Sequence, residues 1–177
     1  MSWEKHFFEL FDDLEQQAEG MFQAERAAEV ADRSRAEYGS VTLASRLMAS
    51  LGTDVVLRIQ GIGVLQGTVR RVAADWCLLV AGMQEWIVRL AAVDQVRGAS
   101  DRSMAEAAWS PVAKLGFASV LRHLSEGHTS CLLCLVDGTR HETHILRVGQ
   151  DFVEANIGAN ATALFPLSGI AAVQERV

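Results

Sequence analysis

The sequence predicts a mainly β protein in which a long N-terminal helix precedes two tandem five-stranded barrels, each with a short helix in front of it. Three observations predict this class. Residues 3–38 have the composition of one helix, two later stretches match each other, and both stretches consist of short β-branched runs separated by glycines. The chain has 177 residues and is 50% hydrophobic but only 7% aromatic. Aliphatic side chains therefore supply enough material for packed cores and argue against global disorder.

The N-terminal helix is predicted because residues 3–38 contain no proline, one glycine and many Glu, Ala, Gln and Arg residues. Apolar side chains recur along it at a four-three spacing, which gives the helix an apolar stripe. Its candidate partner-binding residues are Trp3, Phe7, Phe11, Leu14 and Met21. A stripe of this kind needs a cover. It either packs on its own domain or docks onto another chain, by self-pairing or in a partner's groove.

The charge distribution separates the helix from the rest of the chain. Residues 1–38 carry ten acidic and four basic side chains, which accounts for the whole net charge of −6, because residues 39–177 carry twelve of each. A body without surplus Lys and Arg disfavours tight binding to the phosphate backbone of nucleic acid. No segment has the ~18 consecutive apolar residues that span a bilayer, and acids appear too early for a signal peptide. We therefore expect a cytoplasmic protein with no membrane partner.

Two stretches of the later chain match when the sequence is shifted by 76 residues, which brings Val55 onto Cys131. Asp75-Trp76 then meets Asp151-Phe152. Alternating apolar residues and glycine turns predict five strands in each copy. Gly67, in the middle of a predicted strand, fits the sharp bend that a small barrel requires. The predicted domains are the helix over 1–38, a first barrel over 40–98, a linker over 99–110 and a second barrel over 111–177, with short helices at 43–51 and 112–124.

These copies resemble the Sm-like family, which comprises the Sm and LSm proteins and the bacterial host-factor RNA chaperone. The residues that carry the resemblance are Leu135-Val136-Asp137-Gly138 with Val148 and Asp151-Phe152-Val153, and Leu65-Gln66-Gly67 with Val72 and Asp75-Trp76. The resemblance implies small barrels whose edge strands pair between subunits. Where Sm proteins place an RNA-contacting Asn, this chain has Val153-Glu154-Ala155 and Cys77-Leu78-Leu79, so no RNA-binding residue carries over. The layout also resembles a group of uncharacterised actinobacterial proteins sometimes labelled transcriptional regulators.

Candidate catalytic and metal motifs have structural explanations in this sequence. Cys131 and Cys134 form C-x-x-C, but in a predicted strand residues three apart face opposite sides, and a zinc or redox pair needs both sulfurs at one point. The run His141-Glu142-Thr143-His144 lacks the helical spacing of a metalloprotease motif. Asp75 and Asp151 suit the capping of backbone N–H groups better than acid–base chemistry. We therefore predict no catalytic, cofactor or metal site, and we expect Cys77, Cys131 and Cys134 to be reduced thiols.

The function predicted from these observations is a non-enzymatic protein–protein interaction or scaffold module. Its partner is another protein or a second copy of the chain, bound through the N-terminal helix and the barrel edges. The alternative is an RNA- or DNA-associated regulator of Sm-like type, for which the candidate contacts are Arg70, Arg71 and Arg147. The fold resemblance favours this alternative and the balanced charge of the body disfavours it.

Overall fold

In a computed structural model of the chain, two helices precede five strands, and a third helix precedes five more. The structure describes residues 3–128, 130–158 and 161–175, and in the first helix it describes side chains from Gln16 onwards, residue 18 excepted. The helices are α1 (Trp3–Gly39), α2 (Leu43–Met48) and α3 (Phe117–Glu126). The strands are β1 (Asp54–Ile59), β2 (Gly63–Val72), β3 (Trp76–Ala81), β4 (Gln84–Arg89), β5 (Val93–Arg97), β6 (Ser130–Leu135), β7 (Arg140–Val148), β8 (Phe152–Asn156), β9 (Thr162–Pro166) and β10 (Ile170–Glu175).

The helices end and begin close to where the composition predicts. α1 covers the predicted segment and continues one residue further. α2 starts at a capping box in which the Thr42 hydroxyl accepts from the Ser45 N–H and the Ser45 hydroxyl accepts from the Thr42 N–H. The second short helix starts later than predicted, because Pro111–Lys114 forms a separate 3₁₀ turn before α3.

All ten strands form one antiparallel sheet with the order β5-β1-β2-β3-β4-β10-β6-β7-β8-β9. It consists of a first half, β1 to β5, and a second half, β6 to β10. The halves meet where β4 pairs with β10, with Val88 opposite Ala172 and Ile87 opposite Val173. β5 and β9 lie at the two ends of this order.

The prediction of two closed five-stranded barrels, Sm-like in arrangement, is therefore wrong, because the chain forms a single open ten-stranded sheet. A closed barrel needs the terminal strands of each half to pair with each other. In the described strands, β5 pairs only with β1 and β9 only with β8. The free side of β4 is taken by β10, which satisfies its backbone groups without closure. Gly67 allows a close approach between strands: a Cβ there would lie 2.3 Å from the Val80 carbonyl oxygen.

The two halves share their strand order and the places where pairing shifts register. In the first half the β1–β5 shift places Ile59 opposite Val93. In the second half the β6–β10 shift places Leu135 opposite Ile170, which are the equivalent residues in the sequence match. The β2–β3 and β7–β8 pairs also shift at equivalent positions. The halves are therefore built on one pairing pattern.

Two buried clusters lie on opposite faces of the middle strands. The first contains α2, most of the first half, Cys134 and Ala172. The second contains α3, most of the second half and three buried first-half residues, Ala73, Trp76 and Ile87. Side chains alternate between clusters along β4, where Val88 belongs to the first and Ile87 to the second. β10 is accordingly buried on both faces, as its apolar sequence Ile-Ala-Ala-Val requires.

The chain divides into two compact units, one ending at Val41 and one covering Thr42–Val177. The second unit contains the whole sheet and both buried clusters. No helix in the described part of the chain is both long and apolar enough to cross a membrane.

Candidate interaction surfaces

Apolar side chains of α1 are exposed along its described part. Met21, Phe22 and Val30 have exposed fractions of 71%, 60% and 66%. The Arg26 guanidinium lies 5.7 Å from the centre of the Phe22 ring, a cation–π contact within the helix. Of the predicted partner-binding residues, Met21 is exposed. The side chains of Trp3, Phe7, Phe11 and Leu14 lie outside the described residues, although their backbone belongs to α1.

The outer edges of β5 and β9 form the second candidate surface. The counterparts of these strands in the other half are β10 and β4, and these two pair with each other. Each half therefore presents one edge that is used inside the chain and one edge that no described strand covers. Uncovered edges expose backbone N–H and C=O groups that can pair with a further strand.

Leu164 on β9 and Val96 on β5 are apolar edge residues that were not selected from the sequence. Leu164 is paired with Glu154 in the second half, as Ile87 is paired with Leu78 at the equivalent position of the first half. Val96 is paired with Leu57 in the first half, as Val173 is paired with Leu133 at the equivalent position of the second half. Ile87 and Val173 are opposite each other and buried, whereas Leu164 is 63% exposed. The sequence alone gives no sign of this difference, because all four residues are aliphatic.

A groove of about 620 Å³ forms a third candidate surface, next to the start of β3. We call it the arginine groove. Its buried apolar lining comprises Met48, Val72 and Trp76, and its walls include the half-exposed side chains of Leu51, Val112 and Leu115. The remaining lining residues are Arg70, Arg71, Ser110, Ala113, Ser119, Val120 and His123. A second cavity of about 560 Å³ shares Arg70, Arg71, Trp76 and Val120 with it and continues to Leu124, Glu85 and Glu175.

Asp75 and Trp76 fix one wall of this groove. The Asp75 carboxylate accepts from the Phe117 N–H, with Oδ1 and Oδ2 at 2.9 and 3.1 Å. This caps α3, whose own N-cap residue Gly116 has no side chain to do so. The Trp76 Nε1–H donates to the Leu115 carbonyl at 2.9 Å. Asp75 is thus a capping residue, but it caps a helix 42 residues away rather than its own turn.

The three arginines considered for nucleic-acid binding lie at two different places on the surface. Arg70 and Arg71 line the arginine groove. Arg147 instead pairs with Glu154, with its Nη2 at 2.7 Å and its Nε at 3.0 Å from Oε2. An arginine held by a carboxylate in this way is less available to a phosphate.

The cysteines and histidines are positioned by packing. Cys131 belongs to the second buried cluster and Cys134 to the first, which places them on opposite faces of β6. Burial raises the pKa of Cys77 to about 12 and that of Cys131 to about 11. The His141 ring lies 5.2 Å from the Phe165 ring. Within the described residues, no group of three or more His, Cys, Asp or Glu side chains could hold a metal ion.

A comparison with protein-family models and a search of curated proteins both find no match to this chain.

Proposed function

We propose that this chain is a non-enzymatic protein-interaction or scaffold module whose first partner is another copy of itself. In the proposed contact, β9 of one copy pairs with β5 of the next. The observation that supports this is the β4–β10 pair within the chain, because β9 and β5 are the counterparts of these two strands and both have a free edge.

The internal pair defines the register of the proposed contact. Ile87 is opposite Val173 in the chain, so Leu164 of one copy would lie opposite Val96 of the next. Leu164 is 63% exposed, and covering a leucine side chain contributes about 1.5–3 kcal/mol. Each copy carries both edges, so the contact is head-to-tail. Contacts of this kind form closed rings when the rotation closes and filaments when it does not.

The N-terminal helix is proposed as a second contact for a protein partner. Its support is the exposed apolar surface of Met21, Phe22 and Val30 on an acidic helix. Large exposed apolar side chains on a helix are typical of surfaces that bind another chain. We prefer protein partners to RNA or DNA because Arg147 is paired with Glu154, so it does not extend the Arg70–Arg71 surface.

The edge proposal is tested by the mass of the full chain in solution. We expect multi-angle light scattering to give a mass above 19.3 kDa that rises with protein concentration. Leu164→Lys would place a charge in the proposed contact, so we expect this variant to run as a monomer. Leu146→Lys is the matched control, since Leu146 is also an exposed leucine but lies on the interior strand β7. A monomeric wild-type chain, or equal effects of both variants, would contradict the proposal.

A further inference from the structure

We propose that the arginine groove binds an amphipathic helical segment of a partner protein, with acidic side chains of the segment meeting Arg70 and Arg71. This inference does not depend on pairing between β9 and β5, because the groove is formed by the end of α2 and the residues after it, strands β2 and β3, the segment before α3, and α3 itself.

Apolar surface provides the affinity of the proposed contact. The exposed fractions of Leu51, Val112 and Leu115 are 43%, 61% and 50%, and all three border the buried lining of the groove. Three neighbouring aliphatic side chains at this exposure form a patch rather than scattered surface residues. A partner that inserts apolar side chains here would remove this patch from water.

The charge of the groove selects an acidic partner. Arg70 and Arg71 are exposed, and no Asp or Glu lines this cavity. Among the described residues, neither arginine belongs to an ion pair. His123 also lines the groove, and its Nδ1 lies 3.7 Å from the Glu126 Oε2. Acidic side chains placed beside two unpaired arginines would gain charge-assisted hydrogen bonds.

The length of the surface favours a peptide segment over a small anionic ligand. The second cavity shares four lining residues with the groove and extends along α3 from Val120 to Leu124. Val120, His123 and Leu124 have the spacing of one helical face. The α3 residues that line the two cavities run from Ser119 to Leu124, which is about 8 Å of helix. This suits a short helix of about two turns, which binds a groove through apolar anchors on one face.

Glu85 and Glu175 line the second cavity but not the arginine groove, whereas Arg70 and Arg71 line both. Acidic residues of the partner segment are therefore favoured where it lies in the arginine groove and disfavoured beside the two glutamates. A segment that is acidic at only one end therefore fits this surface better than a uniformly acidic one.

The test is fluorescence anisotropy with a fluorescein-labelled designed helix that has leucines on one face and glutamates at one end. We expect binding to the full chain that weakens with added salt. We expect Arg70→Glu combined with Arg71→Glu to weaken it at least about tenfold. The matched control is Arg58→Glu, since Arg58 is exposed on β1 and does not line the groove. If the double variant fails to fold by circular dichroism, Arg70→Gln with Arg71→Gln replaces it.

Several results would overturn the proposal. One is equal binding of a peptide in which lysine replaces every glutamate, and another is an equal loss in Arg58→Glu. Displacement of the peptide by dodecanoate, with tighter binding of that small anion, would assign the groove to a small ligand. Peptide binding that weakens as protein concentration rises would assign it to a second copy. Repeating the titration in Leu164→Lys separates the two proposals, because peptide binding should persist there even if the edges do not pair.

Discussion

Gly67 and Thr143 occupy equivalent positions in the two halves, and each lies against the carbonyl group at the equivalent position of the neighbouring strand. A Cβ at Gly67 would lie 2.3 Å from the Val80 carbonyl oxygen, so the backbones approach too closely for any side chain. In the second half, the Thr143 hydroxyl donates to the carbonyl of Asn156, the counterpart of Val80. The pairing changes with it: β2 and β3 pair from Thr68, whereas β7 and β8 pair only from Ile145. The half that has a side chain at this position therefore has the shorter strand pair.

Asp75 is expected to stabilise the fold through its cap on α3. Asp75→Ala removes the acceptor of the Phe117 N–H and should lower the free energy of unfolding by about 1 kcal/mol. The measurement is urea denaturation followed by circular dichroism. Asp151→Ala is the control, since Asp151 is exposed at the equivalent place, and its effect should stay within about 0.5 kcal/mol. Equal effects of both variants would contradict the capping role.

The turn at Gly61 packs against the turn at Gly138, and substitution of Gly61 and Gly63 tests this contact. Both have positive φ, +70° and +94°. A Cβ at Gly61 would lie 2.1 Å from the Leu135 carbonyl oxygen, whereas a Cβ at Gly63 meets nothing within 4 Å. We expect Gly63→Ala to cost about 1 kcal/mol from backbone strain and Gly61→Ala about 3 kcal/mol or more. Urea unfolding compares the two, and similar costs would show that the turns do not pack as described.

At the scale of elements, the two buried clusters are built from the sheet and its short helices. Among the residues whose side chains the structure describes, both clusters consist of residues from Ala44 onwards, and Met21, Phe22 and Val30 of α1 are exposed. Burial of apolar surface is the main stabilising contribution to a fold. The stability of the sheet should therefore not depend on α1.

Removal of residues 1–38 tests this separation. The shortened chain should keep its cooperative thermal unfolding, with a midpoint within about 3 °C of the full chain, since the loss should be below about 1 kcal/mol. Differential scanning calorimetry measures it. A much lower midpoint, or loss of the transition, would mean that the helix contributes to a core.

The elements themselves could largely be predicted from the sequence, whereas their closure could not. Composition predicts α1, and the match of Val55 with Cys131 predicts equivalent strands that begin near those residues. Whether β4 pairs with β5 or with β10 is a choice between aliphatic strands of similar pattern, so local sequence does not decide it. The cap from Asp75 to Phe117 joins residues 42 apart, and such partners become visible only in the fold.

At the scale of the whole molecule, the two halves are joined by the pair between β4 and β10. This pair takes the place of the pairing that would close each half into a barrel. Arg89 of β4 strengthens this connection, because its Nε and Nη2 donate to the Ile170 and Ser168 carbonyls at 2.6 Å each. An open sheet keeps two edges, and natural proteins cover, shorten or charge such edges to avoid unwanted pairing. Here β5 carries Asp94 and Arg97 and β9 ends at Pro166, while Leu164 on β9 is exposed and belongs to the contact that we propose.

Disulfide formation between two variants, each with one added cysteine, tests the central claim most directly. Residues opposite each other in an antiparallel pair have Cα atoms about 4.5–5.5 Å apart, which a disulfide can bridge. Mixing Val96→Cys with Leu164→Cys under mild oxidation should therefore give a cross-linked dimer. The three native thiols should not interfere, because they are buried and burial raises their pKa values.

Leu146→Cys, mixed with Val96→Cys in the same way, measures random collision, since Leu146 is exposed on an interior strand. The account predicts that Val96→Cys and Leu164→Cys cross-link rapidly and well above this background. Cross-linking no greater than that of the Leu146→Cys mixture would contradict it, because β9 and β5 would then not pair in the register of β4 and β10.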